Sequence, residues 1–133
     1  MGLGLGLSID LNKAAATAVA VAPSNSVAPV ISGSASVGSI LTTTDGTWTG
    51  TLPITFTYQW YRGASPITSA TSSTYTTWQA DIGLAVTCIV TGTNIAGAST
   101  ASSNVITPTA IAPVNTVAPV ISGSTPVGSI LTT

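Results

Sequence analysis

In the first eleven residues, MGLGLGLSIDL, apolar and bare positions alternate. Leu3, Leu5, Leu7, Ile9 and Leu11 fall on one side of an extended chain, with Gly2, Gly4, Gly6, Ser8 and Asp10 on the other. Glycine weakens a strand unless another backbone must come close. The pattern therefore predicts an anchoring strand over residues 1–12 that docks on another subunit, by strand addition or in a bundle of copies. The alternatives are a strand folded back on the chain's own domain, or disorder. Residues 13–22, KAAATAVAVA, read as a linker, helical by alanine propensity or simply extended, which Pro23 ends in either case.

From Pro23 onward the text breaks into short alternating runs separated by Gly, Pro, Ser and Asn, as in an antiparallel all-β domain. The predicted strands are Val27–Ser32, Val37–Thr43, Ile54–Arg62, Thr74–Thr77, Leu84–Gly92 and Ala98–Ile106. In TFTYQWY, Phe56, Tyr58 and Trp60 point one way, and Thr55, Thr57, Gln59 and Tyr61 the other, so one face must be core. In LAVTCIV, Leu84, Val86, Cys88 and Val90 share a face, and Cys88 is expected to meet Trp60 from an opposite sheet. With Tyr75 these residues form the predicted core. Asp45-Gly46 marks a turn, Asp81 with Gly83 a second, and Asn94 with Gly97 the hairpin between the last two strands.

Residues 112–133, APVNTVAPVISGSTPVGSILTT, repeat residues 22–43 with 18 of 22 positions identical, at a period of 117 − 27 = 90 residues. Such a period suits one small β-sandwich module, assigned to 23–108, followed by a connector and the first strands of a second over 109–133. The expectation is that the natural polypeptide continues beyond Thr133; the alternative is a second unit shortened into an arm.

Composition narrows the chemistry. Charged residues are 4% of the chain against 44% hydrophobic, and 41 Ser and Thr carry the polarity. Two cations, Lys13 and Arg62, offer no basic field for phosphates, so nucleic acid is not an expected partner. With no His, no Glu and one Cys, zinc sites, His-based triads and paired-carboxylate machinery have no materials within one chain, and neither an enzyme nor a cofactor is expected. Cys88 reads as a small buried hydrophobe. No apolar run reaches the 18 or more residues of a membrane-spanning helix. Ala14–Ala22 could serve as the tail of a signal peptide, although Gly-Leu alternation and Asp10 make a poor positive leader.

Taken in order, P-x-I-S-G at Pro29–Gly33, V-G-x-x-L at Val37–Leu41, D-G-x-W-x-G at Asp45–Gly50 and Y-Q-W-Y-R at Tyr58–Arg62 are followed by S-x-T-Y-T at Ser72–Thr76. D-x-G-x-x-x-x-C at Asp81–Cys88 and V-T-x-x-N-x-x-G at Val90–Gly97 complete the series. This set resembles the immunoglobulin-like repeats of bacterial surface proteins and of tailed-phage virion proteins. The resemblance implies an antiparallel sandwich serving as spacer or binding platform. Two departures stand out. Antibody-type domains link their sheets through two cysteines, whereas here the earlier strand offers Ile40 and Leu41; and Val86 stands where the tyrosine corner would lie. More loosely, GLGLGLS resembles the openings of phage structural proteins that attach to a virion.

The remaining aromatics allow a stacking surface. Trp48 and Trp78 sit beside turns and Tyr61 points away from Phe56, so these three are the candidates for exposed stacking on a glycan. Asp45 and Asp81 are too few and isolated for a Ca²⁺ site and are expected to make turn hydrogen bonds, while Arg62 and Lys13 are expected to be solvated. The order anchor, linker, module, module leads to an oligomeric or hetero-assembled virion component on the particle exterior, held to other virion proteins by its N-terminal segment. A bacterial surface or secreted adhesin or stalk and a carbohydrate-binding module are the alternatives, with a host glycan or protein as a further partner.

Overall fold

The computed structural model describes residues 16–123, 126–128, 130, 132 and 133. The expected anchor residues Leu3, Leu5, Leu7, Ile9 and Leu11 lie outside the described residues. Among the described residues nine strands follow one another: β1 (Ser24–Val27), β2 (Ile31–Ser32), β3 (Ile40–Thr43), β4 (Thr47–Thr49), β5 (Thr55–Arg62), β6 (Ser65–Pro66), β7 (Thr74–Thr76), β8 (Val86–Asn94) and β9 (Gly97–Ser102). A 3-10 turn, Gln79–Asp81, precedes β8.

The strands form antiparallel sheets in the orders β2-β3-β7 and β6-β5-β8-β9, with β1 and β4 paired separately. The arrangement is all-β and consistent with a β-sandwich. Ile31, Leu41 and Tyr75 from the first sheet meet Trp60, Val86, Cys88 and Val90 from the second in one buried cluster. Each large aliphatic among them contributes about 1.5–3 kcal/mol by leaving water. The Trp60 and Tyr75 rings stack across the sheets with centroids 5.4 Å apart, and the Trp60 indole N–H donates to the Ser72 carbonyl at 2.8 Å. Phe56 and Tyr58 are partly buried against this cluster.

Three expectations change here. Cys88 does not face Trp60 from the opposite sheet: the two are register partners on the adjacent strands β5 and β8. Leu41 and Tyr75 supply the opposing surface instead. Leu84 is not core; it is 47% exposed, because Gly83, at φ 74°, ends the 3-10 turn and β8 begins only at Val86. The expected strand Val27–Ser32 is two strands in different pairings. Buried Pro29, lacking an N–H, interrupts the ladder, so the chain leaves β4 and rejoins at β3. Strands β4 and β6 are too short to show alternation and were not expected.

The β2–β3 connection depends on Gly33, at φ 131°, where a Cβ would lie 2.6 Å from the Ile40 carbonyl oxygen. In the repeated segment one pair of this hairpin recurs. Ser122 pairs antiparallel with Thr132, their backbones exchanging two hydrogen bonds of 3.0 Å. This is the Ser32–Thr42 pair of β2 and β3 moved by 122 − 32 = 132 − 42 = 90 residues.

Candidate functional site

Two ends of the module receive and release the chain. At one, Asn94, the last residue of β8, donates its side-chain amide to the carbonyls of Val21 (2.7 Å) and Thr51 (2.8 Å). The Thr51 N–H donates to the same Val21 carbonyl, and the Val21 N–H donates to the Thr51 hydroxyl. The linker is thereby stitched to the β4–β5 loop beside the β8–β9 turn. That turn is as expected, with Asn94 opposite Gly97.

At the other end, the Gly83 N–H donates to the carbonyl of buried Pro108 at 2.9 Å, just before β8 starts. Thr109 then runs parallel to Ser36, receiving the Val37 N–H at 3.0 Å and donating to the Ala35 carbonyl at 2.6 Å. The chain thus enters beside the last residue of β8 and leaves beside the first. Eight residue steps at about 3.3 Å put these points about 26 Å apart.

A charged cluster braces the exit end. Asp81 is fully buried, and its carboxylate accepts from Arg62 Nε at 2.5 Å, from the Tyr75 hydroxyl at 2.8 Å and from the Trp78 N–H at 2.6 Å. Asp81 also serves the turn as expected, its carbonyl accepting from the Leu84 N–H. Arg62, expected to be solvated, is instead ion-paired with Asp81, which holds the guanidinium further above its ordinary range. Burial, then the bond to Asp81, pushes the Tyr75 hydroxyl up. Asp45 has a smaller role: its carboxylate accepts from the Tyr58 hydroxyl, pushing that group up to about 12, and burial pushes the Cys88 thiol up to about 11.

Of the three stacking candidates, Trp48 is withdrawn. Its indole N–H donates to the Asp45 carbonyl at 2.7 Å and its ring leans on Phe56 at 5.8 Å, leaving it half-buried over Gly92. Tyr61 is half-buried in β5, and Trp78 stands out at 66% exposed, beside a shallow concavity shared with Val37, Gly38, Thr76 and Gln79. Among the described residues no three of His, Cys, Asp and Glu come together.

Sequence reasoning did not find the three asparagine clamps. Besides Asn94, Asn25 donates to the Val27 and Thr47 carbonyls. Asn104 both accepts from the Ile31 N–H and donates to its carbonyl, tying the segment after β9 to β2. The available signal was the return of Asn25 at Asn115 within the repeat. No family model, no curated protein and no solved structure matches the chain.

Proposed function

We propose that the protein is a non-enzymatic structural component of a phage virion, attached to capsid, neck or tail by its N-terminal segment and projecting immunoglobulin-like modules outward. The observation that carries this reading is the placement of the linker and of Pro108 at opposite ends of β8. A module threaded in this way adds its full length to a string, whereas one with both connections at the same end would double the chain back. The near-identical segment 112–133 follows on the exit side, as a serial array requires.

The sheet orders support the immunoglobulin-like part of the proposal. In this reading strands β2, β3 and β7 would correspond to A, B and E of that fold, and β5, β8 and β9 to C, F and G, with β6 as a short C′. Sheet-to-sheet packing of Trp60 on Tyr75 and Leu41 stands where antibody domains carry a disulfide.

Deletion of residues 2–11 tests the attachment. Co-sedimentation with particles is expected to be lost while the module's thermal transition is unchanged; a deleted chain that still sediments with particles overturns the mechanism. Mass spectrometry of the mature chain separates this reading from an exported bacterial stalk, for which the N-terminus would be found at Pro23.

A further inference from the structure

Trp78 stands between two hollows that share Arg62 and Thr76 as well. One is the concavity beside Val37; the other, about 310 Å³ in volume, is walled by the connection between β6 and β7. This second hollow opens where β6 and β7 are the outermost strands of their sheets. The chain departs from the opposite edge, since Asn104 ties the segment after β9 to β2, and no residue of the connector lines the hollow.

Its walls carry three kinds of group. Six of the lining side chains are serine or threonine, and none of their hydroxyls bonds to another described residue, whereas the Thr77 and Ser103 hydroxyls elsewhere are engaged by backbone carbonyls. Arg62 supplies further donors. Its Nε is taken by Asp81, which leaves the terminal nitrogens with one long contact among the described residues, 3.5 Å to the Tyr75 hydroxyl. Because the buried carboxylate already balances the guanidinium, these N–H groups act as directed donors without a net positive charge. Trp78 is the apolar wall: its ring is exposed, and its negative π face attracts the positive C–H edge of a sugar ring. At the lip Ser69 holds φ 62°, the one non-glycine residue at positive φ among the described residues. Glycine would sit there unstrained, so a serine kept in a hydroxyl-lined hollow fits strain retained at a ligand site.

We propose that this hollow binds a neutral saccharide, with one pyranose ring stacked on Trp78 and its hydroxyls bonded by Arg62 and by the serine and threonine side chains. The ligand is neutral because the only cation at the site is already paired, which leaves no charge to attract a carboxylated sugar. It is short because the volume lies at the lower end of the range for ligand sites, about 300–1,000 Å³. The inference does not depend on how the module is anchored.

The test uses the three tryptophans as reporters. In the isotopically labelled full chain the indole N–H groups of Trp48 and Trp60 are bonded to the Asp45 and Ser72 carbonyls, whereas that of Trp78 has no partner among the described residues. Titration with maltotriose, chitotriose and lactose at millimolar concentration is expected to move the Trp78 signal saturably with at least one of them and to leave that of Trp48 in place. Trp78→Ala, whose backbone N–H still serves Asp81, is expected to keep the module's thermal transition and to lose binding by calorimetry. Ser69→Gly relieves the backbone and removes one hydroxyl, so Tm holds or rises while affinity falls about three- to tenfold. Failure of all these sugars to move the Trp78 signal, movement only with the carboxylated probes glucuronate and sialyllactose, or unchanged affinity in either variant overturns the proposal.

Discussion

Replacing Asp81 with alanine removes one acceptor from three donors at once: the Arg62 guanidinium, the Tyr75 hydroxyl and the Trp78 N–H. Breaking a buried ion pair by deleting one partner costs about 3–5 kcal/mol. The lower end applies, because the Arg62 side chain is 28% exposed and finds water once its partner is gone. The expected loss is therefore about 3 kcal/mol, a large share of the stability of a small domain. At about 4–8 °C per kcal/mol for a module of this size, Tm falls by about 12–24 °C. Urea denaturation followed by tryptophan fluorescence measures it, with the slope unchanged if the native state keeps its compactness. Asp45→Ala, which deprives only Tyr58 of its partner, is the internal comparison and costs about 1 kcal/mol. Arg62→Met in the Asp81→Ala background should be less harmful than the sum of the single changes, with a coupling of about 1–3 kcal/mol. An Asp81→Ala loss below about 1 kcal/mol, the value of an exposed pair, would refute the claim that this cluster braces the exit end.

Leu41→Ala should cost about 2–5 kcal/mol and Leu84→Ala about 0.5 kcal/mol or less, because the first is fully buried and the second lies in the turn; equal losses would return Leu84 to the core. Tyr58 carries a raised folded-state pKa, so its contribution is complete below the ordinary value of 10.0 and is lost as pH rises from there through about 12. Tyr58→Phe should flatten the alkaline fall in Tm over that window, and an unchanged fall counts against the Asp45 bond as its source. Cys88, buried and raised to about 11, should react with a thiol reagent at pH 8 only as fast as the module opens, so urea accelerates labelling in step with unfolding; rapid native labelling would contradict its burial.

Period-two alternation made the inner face of β5 and β8 legible, because side chains on a strand must alternate whatever the surrounding fold. Trp60, Val86, Cys88 and Val90 are buried for that reason. Alternation carries no information on which sheet a strand joins, which is why the partner placed opposite Cys88 proved to be its neighbour in register. It also overran the strand at Leu84, where the Gly83 turn outranks the pattern. Arg62 and Asp81 are 19 residues apart on elements that meet only in the folded state, so nothing local marks their pairing. Trp48 sat beside a turn, as exposed aromatics do, yet the absence of a Cβ at Gly92 opens a seat for its ring. The exit at Pro108 and Thr109 was equally invisible, being defined by the bond that Pro108 accepts from Gly83 and the one that Thr109 donates to Ala35, both distant in the chain.

The parallel contact of Thr109 with residues 35–37 has a mechanical consequence. Tension applied through the linker and through Thr109 runs along the strand axes, so the two hydrogen bonds at this contact, lying across the pull, are sheared together instead of being peeled one after another. Threading from end to end thus loads the clasp on the departing chain in shear, where a frayed hairpin tip would be loaded by peeling.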